Sequence, residues 1–214
     1  MSFVLHGFFR SSTAFRLRAG LNLKGLSYDQ QTYALRQGEH RQPGFLSLNP
    51  QGLVPALEMQ DGVLTQSLAI LEWLNETYPE PPFLPSEPGQ RARVRSLAQM
   101  IALDIHPINN LRVLLYIRDQ FGADDAAQAA WFRHWVAEAF APLEKRLGQD
   151  PETGRFCHGD QPGLADICLA GQVVNNRRFD VDLAPYPTIQ RIFEACMALP
   201  AFVDAMPEKQ PDAA

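Results

Sequence analysis

Cysteine is scarce in this chain of 214 residues: Cys157, Cys168 and Cys196 are an odd number without metal-type spacing. That excludes a disulfide framework and predicts reduced, mostly buried thiols, as in a cytosolic protein. The five histidines include no HxxxH pair, so no metal site is expected. Basic charge is in deficit, with 19 Lys plus Arg against 24 Asp plus Glu and a formal charge of −5. A general nucleic-acid binder is thereby disfavoured, although local basic pockets are not. No run is long and apolar enough to span a membrane. The first residues lack the basic start, apolar run and small-residue cleavage site of a secretory signal. A cytoplasmic protein with no membrane partner is expected. Internal repeats and low-complexity tracts are also missing. What is present is a hydrophobic fraction of 46%, ample for a globular core.

The stretch Phe8-Phe9-Arg10-Ser11-Ser12-Thr13-Ala14-Phe15-Arg16-Leu17-Arg18 follows a short apolar run, Phe3 to Gly7, that reads as a first strand. It leads into Ala14–Lys24, where Phe15, Ala19, Leu23 and Leu26 recur at roughly helical spacing and Gly25 supplies a stop. Hydroxyl residues between a strand and a helix lie at a helix N-terminus, where free N–H groups and the helix dipole favour negative charge. A hydroxyl there can stabilise a thiolate, or it can be an ordinary N-cap. The stretch alone leaves both open.

The N-terminal third continues with a second strand, Tyr28–Thr32, and a polar, basic loop, Arg36–Pro43. Asn49-Pro50-Gln51-Gly52 is a turn signal ahead of Leu53–Met59, and Asp61-Gly62 reads as a hairpin turn into Val63–Thr65. Leu68, Leu71, Trp73 and Leu74 then mark a helix ending near Tyr78-Pro79. Pro79–Pro85 is proline-dense and is the clearest domain boundary. Beyond it, 91–103, 110–121, 125–147, 166–179 and 188–199 all read as helices, with Pro107 ending or kinking the first. The tail from Glu208 is expected to be a surface extension. The fold class is α/β plus all-α: a small α/β domain over 1–82, with β-α-β then β-β-α order, and an all-helical domain over 88–214.

This layout resembles the soluble glutathione transferases, and the ordered motifs narrow it. Arg10-Ser11-Ser12-Thr13 with Phe15-Arg16-Leu17-Arg18, Asn49-Pro50 through Val54-Pro55, Gln66-Ser67 and Asp104-Ile105-His106-Pro107-Ile108-Asn109-Asn110 resemble the zeta class. So do Arg178-Phe179, Val181–Pro187 and Gln210-Pro211-Asp212, so the resemblance covers essentially the whole chain. It implies a thioredoxin-like, glutathione-binding N-terminal domain, a helical substrate-binding domain and a homodimer. It further implies Ser11 as the thiol-activating hydroxyl, with Ser12 in support and Thr13 where the class usually has cysteine. A covalent cysteine role is excluded at Thr13.

For glutathione binding the resemblance implies a cis Val54-Pro55 bond, whose Val54 backbone pairs with the cysteinyl residue. Gln66 and Ser67 would take the γ-glutamyl end, His40 the glycyl end, with His106 and Asn110 lining the site. Arg10, Arg112 and Arg178 are the candidate contacts for substrate carboxylates, Arg112 and Arg178 having a salt bridge as the other reading. Gly52 departs from relatives that carry a longer polar residue there. Gly163 stands where Ser or Thr usually caps a helix, leaving Asp166 at N3 in a structural segment. The implied activity is isomerisation of a maleyl keto diacid to its fumaryl form, by thiolate addition, bond rotation and elimination. The alternatives are a conjugating or dehalogenating transferase and a non-enzymatic binding module.

Overall fold

The apolar run after Ser2 becomes β1, Val4–Gly7, in the computed structural model, which describes residues 2–213. β1 pairs in parallel with β2, Asp29–Thr32, with Val4 opposite Asp29. A parallel pair requires a crossover, and α1, Ser12–Leu23, provides it. β3, Ala56–Met59, lies antiparallel on the other side of β1 and turns directly into β4, Gly62–Thr65, with Met59 opposite Gly62. The sheet order β2-β1-β3-β4 is that of a thioredoxin-like domain. Buried His6 ties the centre together, meeting the Tyr33 hydroxyl at 2.8 Å and the Glu58 carboxylate at 2.9 Å.

α3, Ser67–Thr77, packs against α1, with Gly20 facing Leu71. A Cβ at Gly20 would collide with Leu71 Cδ2, so a larger residue there requires the Leu71 side chain to move aside. The basic loop predicted over 36–43 is more ordered in structure than its composition suggests. It holds two 3-10 turns, Leu35–Gln37 and Glu39–Arg41, and then α2, Pro43–Leu48, with Pro43 in its first turn.

The described residues group into two compact units, one running to Phe83 and resuming at Met197, the other Leu84–Cys196. The expected division placed everything after residue 88 in the helical domain, whereas the last residues pack with the sheet. α9, Pro200–Val203, docks on α1 through a bond from Asn22 Nδ2 to the Ala201 carbonyl at 2.9 Å. The tail is therefore not a simple surface extension. Gln210 is buried, donating to the Asp204 and Met206 carbonyls at 2.9 and 2.7 Å.

The second unit contains α4 (Pro88–Ala102), α5 (Leu111–Phe121), α6 (Asp125–Gln149), α7 (Leu164–Asn176) and α8 (Pro187–Met197). Every residue of α7 from Leu164 to Val174 is buried, which marks it as the central helix. Leu97 and Ile101 of α4, Phe132, Val136 and Phe140 of α6 and Ile189 and Ile192 of α8 complete that core. Asp166 secures the start of α7: its carboxylate accepts from the Gly163 N–H at 2.9 Å and the Cys157 N–H at 2.8 Å. The missing Ser/Thr cap at Gly163 is thus offset from N3. The three cysteines are buried thiols outside any disulfide. Among the described residues no helix is long and apolar enough to cross a membrane.

Candidate active site

Ser11 is the N-cap of α1, with extended backbone and its Oγ accepting from the Ala14 N–H at 3.1 Å. The N-cap reading is therefore correct, and it does not exhaust the hydroxyl. Ser11 Oγ also lies 2.8 Å from Thr13 Oγ1, and Thr13 Oγ1 donates to the Val54 carbonyl at 3.1 Å. Thr13 has one proton and a carbonyl can only accept, so the Ser11 hydroxyl is the donor between them. A chain of hydroxyls thus runs Ser11 to Thr13 to Val54, and the proton Ser11 gives away is one it can redirect to a stronger acceptor. Ser12 is buried in the first turn.

The turn that presents Val54 is built by Asn49, buried, whose Nδ2 donates to the Leu53 carbonyl at 2.7 Å and whose Oδ1 accepts from the Gln51 N–H at 3.1 Å. The Val54–Pro55 bond is cis. Gly52 sits at φ 59°, and a Cβ there would meet Arg41 Cδ and Nη1 at 2.9 Å. The left-handed backbone at Gly52 disfavours a longer residue, and a side chain there would also need Arg41 to move aside. Arg41 Nη1 in turn donates to the Gln51 carbonyl at 3.2 Å. His40, half-buried in the adjoining 3-10 turn, has its pKa lowered by burial and then by Arg41, which favours the neutral ring.

Gln66, not a glycine, stands at φ 69°, an observed outlier of the kind that costs about 1–3 kcal/mol. It is the N-cap of α3 and caps nothing with its side chain, which reaches instead to Gln51 Oε1 at 2.9 Å. Ser67, buried beside it, accepts from Arg16 Nη1 at 3.3 Å. Neither α1 nor α3 has an acidic residue in its first turn. Two helix starts of this unit therefore present N–H groups and dipole charge without a carboxylate of their own.

Within the helical unit, Asn110 is the N-cap of α5, its Oδ1 accepting from the Arg112 N–H at 3.1 Å and its Nδ2 lying 3.4 Å from His106 Nε2. Arg112 and Arg178 are exposed, and Arg178 Nη1 donates to Asn175 Oδ1 at 3.3 Å. Arg10, exposed, lies over the Phe9 ring at 4.8 Å. The structure therefore brings together Ser11, Thr13 and Val54, and separately Gln66 and Ser67 at one helix start. It pairs His106 with Asn110, and leaves the three arginines as exposed side chains.

Residues 1–76 match the family model of the glutathione S-transferase N-terminal domain, and residues 125–195 that of the C-terminal domain. A maleylpyruvate isomerase of a Ralstonia species is 50% identical over 210 residues, covering 98% of this chain and 99% of that protein. Among solved structures, one similar chain is a holo maleyl pyruvate isomerase, described as a bacterial glutathione S-transferase in the zeta class. It superposes with a TM-score of 0.97 at 50% identity, covering 99% of this chain and 100% of that one. The chain belongs to the zeta-class glutathione S-transferase family. A probable maleylacetoacetate isomerase of Vibrio cholerae is 45% identical over 215 residues, covering 100% of this chain and 99% of that protein. A maleylacetoacetate isomerase of Methylobacterium extorquens AM1, solved with bound malonate and GSH, has a TM-score of 0.95 at 44% identity, covering 99% of each chain.

Family membership gives the remaining contacts a context. Gln51, which holds the Gln66 side chain, and Arg41, which holds the Gln51 carbonyl, were not singled out from the sequence. Gln51 lies inside the Asn49–Gly52 turn signal, so its position was visible while its partner was not. Arg16, in the same motif as Ser11, donates to the Ser67 hydroxyl.

Proposed function

We propose that this chain is a glutathione-dependent cis–trans isomerase of a maleyl keto diacid, maleylacetoacetate or maleylpyruvate, yielding the fumaryl form. The observation that carries the reading is the Ser11 hydroxyl, held at an acid-free helix start with a proton it can turn toward an anion. The chain's relatives, named as isomerases along their whole length, support it. Glutathione, when bound, would supply the nucleophile this isomerisation needs, a thiolate able to add reversibly to a conjugated cis double bond.

The chain's own residues do the rest. Ser11 donates to the sulfur anion while Thr13 keeps its hydrogen bond to Val54, so the donor turns without the loop moving. A free thiol titrates near ~8.5, and each unit by which donors and dipole lower it is worth about 1.4 kcal/mol. Val54 offers main-chain pairing to the cysteinyl residue, its carbonyl keeping a second lone pair beyond the one Thr13 uses. The uncapped N–H groups of α3, with Ser67 and the Gln66 side chain, hold the γ-glutamyl carboxylate and amine. His40 takes the glycyl end, and His106 and Asn110 complete the ligand contacts. Arg10, Arg112 and Arg178 are assigned to the diacid's carboxylates and to the enolate charge that develops on its keto oxygen. We further propose a cytoplasmic homodimer.

The test is to follow the ultraviolet spectrum of a maleyl keto diacid with this protein, with and without glutathione. Conversion to the fumaryl form with glutathione unconsumed is the expected result. Stoichiometric loss of glutathione would replace the reading with a conjugating or dehalogenating transferase, and no glutathione-dependent change would remove it.

A further inference from the structure

The loop from β1 into α1 is closed by a bond from the Ser11 N–H to the Phe8 carbonyl at 2.9 Å, with Phe9 and Arg10 in the middle of the turn. Phe9 is held at both of its peptide groups. Its N–H donates to Asp212 Oδ2 at 3.0 Å, and its carbonyl accepts from Arg18 Nη2 at 3.0 Å. Arg18 also donates through Nε to the Ala205 carbonyl at 3.0 Å, so one buried guanidinium joins the loop to the C-terminal segment. Burial lowers the Arg18 pKa to about 10, with Tyr28 and Asp212 opposing the fall, so it remains cationic at neutral pH. The segment itself is anchored in turn. Buried Gln210 bonds two carbonyls of that segment, and its Oε1 accepts from Gln30 Nε2 on β2 at 3.0 Å.

We propose that Asp212, 203 residues away in sequence, is a positioning residue for the reaction: with Arg18 it fixes the Phe9 peptides and so sets where the Ser11 hydroxyl points. The proposal rests on the assignment of Ser11 to the glutathione sulfur. A donor at the mouth of a helix works only within hydrogen-bond reach of the anion, and a displacement of about 1 Å is enough to cost up to 100-fold in rate. Ser11 is carried by the turn whose centre Asp212 holds. The carboxylate does not touch the reacting atoms in this role. It acts through the main chain.

The experiment compares wild type with Asp212→Ala and Asp212→Asn. Ultraviolet absorbance of the thiolate of bound glutathione is titrated against pH, and kcat and the KM for glutathione are measured with a maleyl keto diacid. Asp212→Ala is expected to move the thiolate midpoint to higher pH and to lower kcat about tenfold, with KM for glutathione changed less than about threefold. Asp212→Asn keeps an oxygen that accepts from Phe9 and is expected to recover most of the midpoint shift. An unchanged midpoint and kcat per folded molecule, with only a lower denaturation midpoint, would make the role merely structural and overturn the proposal. Should Asp212→Ala not fold, Asp212→Glu keeps the charge and moves it by one methylene, and its thiolate midpoint is read in the same way. If wild type itself isomerises nothing, the functional reading falls while the thiolate titration still decides the role of Asp212.

Discussion

The helix starts of the two units are built differently. In the helical unit a carboxylate occupies four of them. Glu87 accepts from the Gly89 and Gln90 N–H groups at the start of α4, and Asp124 accepts from Ala127 at α6. Asp166 serves α7, and Glu144, reaching over from α6, accepts from Thr188 and Ile189 at α8. α5 has the neutral Asn110. In the sheet-bearing unit, α1 has a serine and α3 no side-chain cap, and neither carries an acid in its first turn. A helix start that only needs closing takes its anion from the chain, which satisfies the N–H groups and the dipole at once. A start left without one can take a ligand's anion; among the acid-free starts, which also include α2, α5 and α9, the isomerase reading assigns the sulfur to α1 and the γ-glutamyl carboxylate to α3.

Removing the hydroxyl from α1 should break this contrast most severely. Ser11→Ala is expected to lower kcat by about 10²–10³-fold, roughly 3–4 kcal/mol, by analogy with loss of a preorganised donor. Loss of the cap alone should cost only about 1 kcal/mol of stability. Steady-state kinetics alongside urea unfolding separates the two, and a kinetic loss no larger than the stability loss would reduce Ser11 to a cap. Asp166→Ala is the mirror experiment in the helical unit. It leaves two N–H groups unsatisfied, Cys157's buried and Gly163's partly so, at about 1–3 kcal/mol each, with kcat of the remaining folded protein unchanged.

The pH dependence sharpens the same comparison. Burial raises the Asp166 pKa above its ordinary value, with the N–H bonds pulling back against it. A raised folded-state pKa means that the folded protein binds more protons across the window between the unfolded and folded values. The contribution of Asp166 to stability is therefore full below the unfolded carboxylate value and lost as pH rises through the folded one. Asp166→Asn should flatten that part of the stability curve measured by urea unfolding from mildly acid to neutral pH.

Gly52→Ala should cost roughly 1–2 kcal/mol from its left-handed backbone, more if Arg41 cannot move aside. The smallest expected effect is the most direct on the open helix start. Ala69→Glu places an acid on the exposed side of the first turn of α3, where it complements the dipole by about 0.3–1 kcal/mol. Stability should hold or rise slightly while glutathione affinity, measured by calorimetry, falls several-fold. Equal affinity would mean that the α3 start does not receive the carboxylate.

Much of the molecule was legible in advance because it is written in local pattern. The apolar run before Ser11, the turn signal at Asn49–Gly52, the proline-dense linker and the helical spacing of the second unit all led to elements within a few residues of those observed. α2 is not among the expected elements: the expected loop ends at Pro43, which opens the helix, and Phe45 is its one buried residue. The C-terminal segment was misread because its polar composition says exposure. Its burial depends on Gln210 finding Gln30 and two carbonyls.

The sequence by itself determined which residue types stand at each helix start, and hence which starts bring their own acid from within one turn. It also determined the strand–helix order, since apolar periodicity acts over a handful of residues. Tertiary structure alone decided that Thr13 reaches Val54, that Gln66 reaches Gln51, that Glu144 fills the start of α8 and that Asp212 holds Phe9. These partners are separated by 41, 15, 44 and 203 positions. A hydrogen bond depends on a fraction of an ångström in space, and that distance is set by how whole elements pack rather than by any spacing along the chain.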